Sequence, residues 1–124
     1  MRAEFIDFPG FETKARRYHP RRTTGDRLHE AVLMLAEAQA SLLSHTETPW
    51  ASITFSGSRH EIMLIFEGPE AVAAGERFIA ALPDHEFAIP GQLVADATVS
   101  HVDHQLMPGP RMMVTAVLLL LEEA

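Results

Sequence analysis

The sequence predicts an α+β fold in which one antiparallel sheet carries two helices on a single face. Three patterns lead there. Two segments, starting near residues 26 and 69, repeat their apolar residues at helical spacing. Four others read as strands, 51–56 by strict alternation of apolar residues with hydroxyls and 61–67, 92–106 and 111–122 as apolar-rich runs bounded by turn residues. The patterns follow one another as α-β-β-α-β-β across short turns, and helices that alternate with hairpins in this way are best buried together on one side of a sheet.

Each element has its own local reasons. Residues 1–8 suit a short strand, which Pro9-Gly10 ends. From Phe11 to Thr23 no period holds, and a loop or arm is expected. Thr23, Thr24 and Asp26 offer N-cap and first-turn chemistry for a helix over 26–45, with Leu28, Ala31, Val32, Leu35, Ala38 and Leu42 as its inner stripe. His45 and Thr46 close that helix and Pro49 bars its continuation. Ala51–Ser56 then alternates apolar residues with hydroxyls, Gly57–Arg59 reads as a turn, and 61–67 is the second arm of a hairpin. Pro69 and Glu70 open a second helix with Ala71, Val72, Gly75, Phe78, Ile79 and Leu82 inward. A glycine inside that stripe implies close packing on the sheet, and Pro83 stops the helix. His85–Ile89 is expected as a short extended piece. Strands over 92–106 and 111–122 follow, joined across Met107-Pro108-Gly109-Pro110.

The resulting order, (β)αββα(β)ββ ending in a long hairpin, resembles that of ferredoxin-like α+β sandwiches. That layout hosts enzymes, regulators and small-ligand binders alike, so it implies no function by itself. The reading is of one domain over 1–124, with an N-terminal strand and basic arm in 1–23 and the α+β body in 24–124.

Strand alternation divides the apolar residues into two sets. Ile53, Phe55, Ile62, Leu64 and Phe66 share the helix-facing side, as do Leu93, Ala97, Val99, Val114, Leu118 and Leu120. The opposite side carries Ser52, Thr54, Asp96, Thr98 and Ser100, but also Met63, Ile65, Met113, Val117, Leu119 and Leu121. Two helices on one face cannot cover this second set. A contiguous apolar patch of that kind marks an interface, and a homodimer packed sheet on sheet is the simplest closed arrangement. The N-terminal segment folding across the patch is the other way to cover it.

Composition bounds the function classes. The chain has 124 residues, 47% hydrophobic and 22% charged, a globular balance rather than a disordered one. It has no cysteine, which excludes disulfides, iron–sulfur clusters, thiolate zinc sites and a cysteine nucleophile. The net charge of −7 argues against a surface built for nucleic acid or anionic lipid. Met112–Leu121 is too short to span a bilayer, and Glu4 and Asp7 interrupt any signal-like start. The reading is a cytoplasmic protein without a membrane partner. Nine arginines against one lysine, with abundant alanine, point to a GC-rich bacterial genome.

Two constellations could carry chemistry. His101 and Asp103 in His101-Val102-Asp103-His104 project to one side of a strand, where a carboxylate-oriented imidazole could act as a general acid–base pair. The same run supplies metal-ligand candidates in His101 and His104, with His60 as a third from elsewhere. The second constellation is basic: Arg16, Arg17, Arg21 and Arg22, with Lys14 and Arg27, give residues 14–27 a charge of +5 against −12 in the rest of the chain. Arginine forks in such an arm suit anions or phosphates, with Tyr18 and His19 available to stack on bases. No phosphate-binding loop, nucleophile elbow or zinc-protease motif is present, and no motif names a cofactor. The leading expectation is a dimeric module that binds a small ligand or protein partner without catalysis. A His/Asp enzyme and an anion-binding arm are the alternatives.

Overall fold

The computed structural model describes residues 22–123. The strand expected over 1–8 and most of the basic arm lie outside the described residues.

Helix α1 runs over Thr24–Leu35. The Thr23 hydroxyl accepts from the Asp26 N–H at 3.0 Å, and the Asp26 carboxylate accepts from the Thr23 N–H at 3.1 Å. This reciprocal box satisfies donors that every helix start leaves free, and the same bonds hold the Asp26 carboxyl below its usual range. Leu28 and Val32 are fully buried, as is Ala36 just beyond the helix.

The helix expected over 26–45 stops at Leu35. Glu37 and Ala38 take left-handed backbone angles, φ 60° and 57°. Their N–H groups donate to the carbonyls of Met34 and Leu33 at 2.9 Å, and Arg77 forks onto the Glu37 carboxylate at 2.7 and 2.8 Å. Each such non-glycine residue costs about 1–2 kcal/mol. The gain that offsets this is strand pairing by the chain that follows.

That chain is β1, Ala40–Ala51, paired antiparallel with β2, Ser56–Glu67. His45, Thr46 and Pro49 therefore sit in a strand, and Pro49 is tolerated because β1 is an edge. The turn falls at Ser52–Phe55, where the Ser52 N–H donates to the Phe55 carbonyl at 2.7 Å. Gly57–Arg59, expected as a turn, begin β2 instead. Ile53 and Phe55 are exposed on the turn rather than in the core, and Ser52 and Thr54 are there too rather than on the sheet.

Helix α2 spans Pro69–Ala81 and passes into a single 3-10 turn, Leu82–Asp84. Its buried residues are Ala71, Val72, Ala74, Gly75 and Phe78. Gly75 lies against Met112 and the Phe66 ring, so closely that a Cβ there would sit 3.0 Å from the ring. The close approach expected of this glycine is present. Between His85 and Gly91 the chain is irregular apart from an isolated bridge, Ile89 to Gln92, where a short extended piece was expected.

Strands β3, Gln92–Gln105, and β4, Arg111–Glu122, complete a four-stranded antiparallel sheet in the order β1-β2-β4-β3. Both helices pack on one face. There Leu28, Val32, Val72, Phe78 and Leu82 meet Ile62, Leu64, Phe66, Met112, Val114, Ala116, Leu118 and Leu120 in one buried cluster. The architecture is α+β, with an open sheet.

Three bulges set which side chains reach that cluster, since each extra residue reverses the alternation beyond it. In β1 the bulge between Leu42 and Ser44 leaves Leu42 and then His45 and Glu47 on the helix side. In β3, bulges between Val94 and Asp96 and between Val99 and His101 place Val94, Ala97, Val99, Val102 and His104 on the helix side. Leu93, expected in the core with Ala97, pairs with Leu121 on the opposite face and is half exposed.

Candidate functional site

The β1 bulge builds a site that strand alternation alone would not. His45 pairs with Ile62 and Glu47 with His60, so the two imidazoles and one carboxylate share the helix side of β1 and β2. His29, one residue after the buried Leu28 of α1, comes down onto them. The result is a file of three imidazoles: His29 Nε2 lies 2.5 Å from His45 Nδ1, and His45 Nε2 lies 2.8 Å from His60 Nδ1. Ser58 ends the file, with its hydroxyl 2.6 Å from His60 Nε2. The rings do not stack; His29 meets His45 nearly edge-on with centroids 4.6 Å apart, and His45 and His60 are 5.0 Å apart.

His60 is 1% exposed. Its burial disfavours the charged ring and lowers its pKa; Glu47 opposes this and His29 adds to it. Burial also lowers the pKa of His45, with His29 and His60 adding to the shift and Glu47 opposing it. Both rings are therefore neutral at pH 7, and each uses one nitrogen as donor and the other as acceptor.

This geometry has the order nucleophile, base and orienting group, which in hydrolases activates a serine. The surroundings oppose that use. A shallow cleft of about 180 Å³ at Ser58 is bordered by Glu47 and Glu122. An oxyanion formed there would face two carboxylates, the reverse of the stabilisation acyl transfer requires. Nor do the imidazoles converge on one point, since His45 spends both nitrogens along the file. Among the described residues no three His, Asp or Glu side chains are arranged to hold a metal ion.

The residues singled out from sequence are dispersed. The bulge at Ser100 puts His101 opposite Thr115 and Asp103 opposite Met113, so both are exposed on the face away from the helices, not at the end of the helix-facing side. His104 points to the helix side opposite Met112, while His60 pairs with Leu118 farther along β4; these two and His101 do not form a cluster. Arg16, Arg17 and Arg21 lie outside the described residues. Arg22 pairs with Glu30 at 2.6 Å, both half exposed. Met63, Ile65, Met113, Val117, Leu119 and Leu121 all occupy the face opposite the helices, as adjoining positions of β2 and β4. The sequence does not reveal the histidine file, because helical spacing puts His45 at a helix end and only the β1 bulge brings it to His60.

A larger open cleft of about 630 Å³ lies along His85–Val94, with Phe87, Ile89, Pro90 and Glu123 on its walls. Among the described residues no helix is long and apolar enough to cross a membrane.

No family model matches the sequence, and no curated protein does. Solved structures do match in shape. One is a chain of the virion of a native gene transfer agent particle, with a TM-score of 0.52 and 13% identity over 79% of this chain and 91% of that one. Another is the type 4 fimbrial biogenesis protein PilO from Pseudomonas aeruginosa, with a TM-score of 0.44 and 16% identity over 87% of this chain and 76% of that one. The second is too distant in shape to carry an argument. The first is a likeness of fold alone.

Proposed function

We propose that this chain is a non-catalytic assembly module that pairs with a second copy of itself through the open face of the sheet. One observation carries the reading: Met63, Ile65, Met113, Val117, Leu119 and Leu121 occupy adjoining positions on the side that neither helix covers, the first five half-buried and Leu121 buried. The charges beside it favour a second copy as the occupant. Arg59 and Asp96 flank Leu119 from opposite sides in one row across the sheet. A half-turn about an axis parallel to the strands and above β4 sets Arg59 of each copy over Asp96 of the other, with Leu119 over Leu119. Arg59 is free to respond, since its own pairing with Glu61 is long, 3.6 Å, and exposed. Such a two-fold arrangement closes on itself.

The ferredoxin-like layout expected from sequence supplies a stiff platform for this contact. A fold shared with a chain of a virion particle is in keeping with a part in an assembly. A small ligand, the other half of the expectation, has its best place in the cleft along His85–Val94. Light scattering on the eluting full-length protein tests the dimer. The native chain should run as a dimer and Val117→Lys as a monomer with an unchanged circular dichroism spectrum. A native monomer across the accessible concentration range would end the reading and assign the cover of this face to residues 1–23 or to a different protein.

A further inference from the structure

On the other side of the sheet, and independently of the dimer, we infer that the His29–His45–His60–Ser58 file is an acid-sensitive latch that holds α1 on the sheet and releases it when a second proton enters. The number of hydrogens the file can hold sets this behaviour. The file has three contacts, His29–His45, His45–His60 and His60–Ser58, and each needs one hydrogen between its two heavy atoms. Three neutral imidazoles and a hydroxyl supply that number in either direction along the file. One added proton is also accommodated, because whichever ring carries it, the others can turn their donors away from it. Two added protons cannot be. If His45 and a neighbour are charged, N–H meets N–H; if His29 and His60 are charged, the ring between them must accept on both nitrogens and would have no hydrogen of its own. A contact has to open.

The contact that can open is the one at α1, and moving α1 alone relieves either case in which His29 carries one of the two protons. His60 is locked within β2 and His45 within β1, and the two strands are paired on both sides of the β1 bulge. Helix α1 is held by Leu28 and Val32 in the core, by Leu33 and Leu35 packed against it, and by His29. The groups facing the file are Asp26 and His29 on α1, Glu47 and His45 on β1, and Ser58 and His60 on β2; β4 offers Leu118, which does not titrate. Glu122 lies outward at the cleft by Ser58. Asp26 and Glu47 can offset one charge, and the second proton then meets repulsion as well as a missing acceptor. Burial lowers both His45 and His60, so this loading falls on the acid side of the ordinary imidazole range.

Hydrogen–deuterium exchange of the full-length protein, corrected for the intrinsic pH dependence of exchange, reads the latch directly. Between about pH 7.5 and about pH 5, exchange of the α1 amides should rise by about tenfold or more while those of α2 and β4 stay protected. His29→Gln should remove that response, because its amide can present either an oxygen or an N–H to His45 and takes up no proton. Should His29→Gln fail to fold, His45→Gln is read in the same way. Unchanged α1 exchange in the native protein would overturn the inference. So would a parallel loss of protection in α2, which is global unfolding, or an acid response in the glutamine variant equal to the native one.

Discussion

His60 shows how one residue ties burial to pH. It is enclosed in the sheet, keeps both nitrogens bonded and stays neutral at pH 7. Its folded pKa is depressed by burial, as is that of His45, so the unfolded chain binds these protons more readily than the folded one. Stability should be full above the ordinary imidazole value of about 6.5 and fall as pH drops from there through the lowered folded values. Urea unfolding at a series of pH values measures this. His60→Gln should flatten the dependence on the acid side, and an unchanged slope in that variant would assign the effect to other histidines. Ala38 gives a second test at this scale. Its positive φ strains any side chain, so Ala38→Gly should stabilise the fold by about 0.5–1 kcal/mol net of the glycine's own entropy cost. A lower melting temperature in that variant would contradict it.

At the scale of elements, α2, β4, most of β2 and the bounds of β3 were legible because apolar residues recur along them and proline or glycine marks the ends. The boundary between α1 and β1 was not. Ala36-Glu37-Ala38-Gln39-Ala40 is good helix sequence with no glycine or proline, and the left-handed turn there is held by pairing to β2 and by Arg77, which are distant in sequence. The 51–56 alternation is a real pattern on a segment that makes a turn. The bulges in β1 and β3 carry no local mark, and each reverses the faces beyond it. They moved His101 and Asp103 to the open side and brought His45 to His60. Two glycines test the packing of these elements. A Cβ at Gly57 would strike the Leu120 carbonyl in the β4 backbone, whereas one at Gly75 strikes the flexible end of Met112 and the Phe66 ring. Gly75→Ala regains helix propensity and should cost about 1 kcal/mol, Gly57→Ala about 3 kcal/mol or more. Thermal unfolding ranks them, and the reverse order would mean that β2 and β4 are less tightly registered than described.

Among the described residues both helices lie on one side of the sheet, and the other side carries no helix. The helix side closes on a continuous core and contains the histidine file. The other side carries the six apolar residues along β2 and β4, with mostly polar residues of β1 and β3 beside them apart from Trp50 and Leu93 at one end. This division was visible in the sequence, since the six apolar residues follow from β2 and β4 alternation alone. The charges that select the partner were only half visible, because the row joining Arg59, Leu119 and Asp96 depends on the β3 bulge. That row fixes which copy faces which and in what register. Charge exchange measured by sedimentation equilibrium tests it most directly. Arg59→Asp and Asp96→Arg should each weaken the dimer by about tenfold, since each sets like charges against each other twice across the two-fold axis. The chain carrying both substitutions should recover native affinity. A double variant as weak as the product of the two singles, or a dimer indifferent to all three, would show that the sheet faces do not meet in this way.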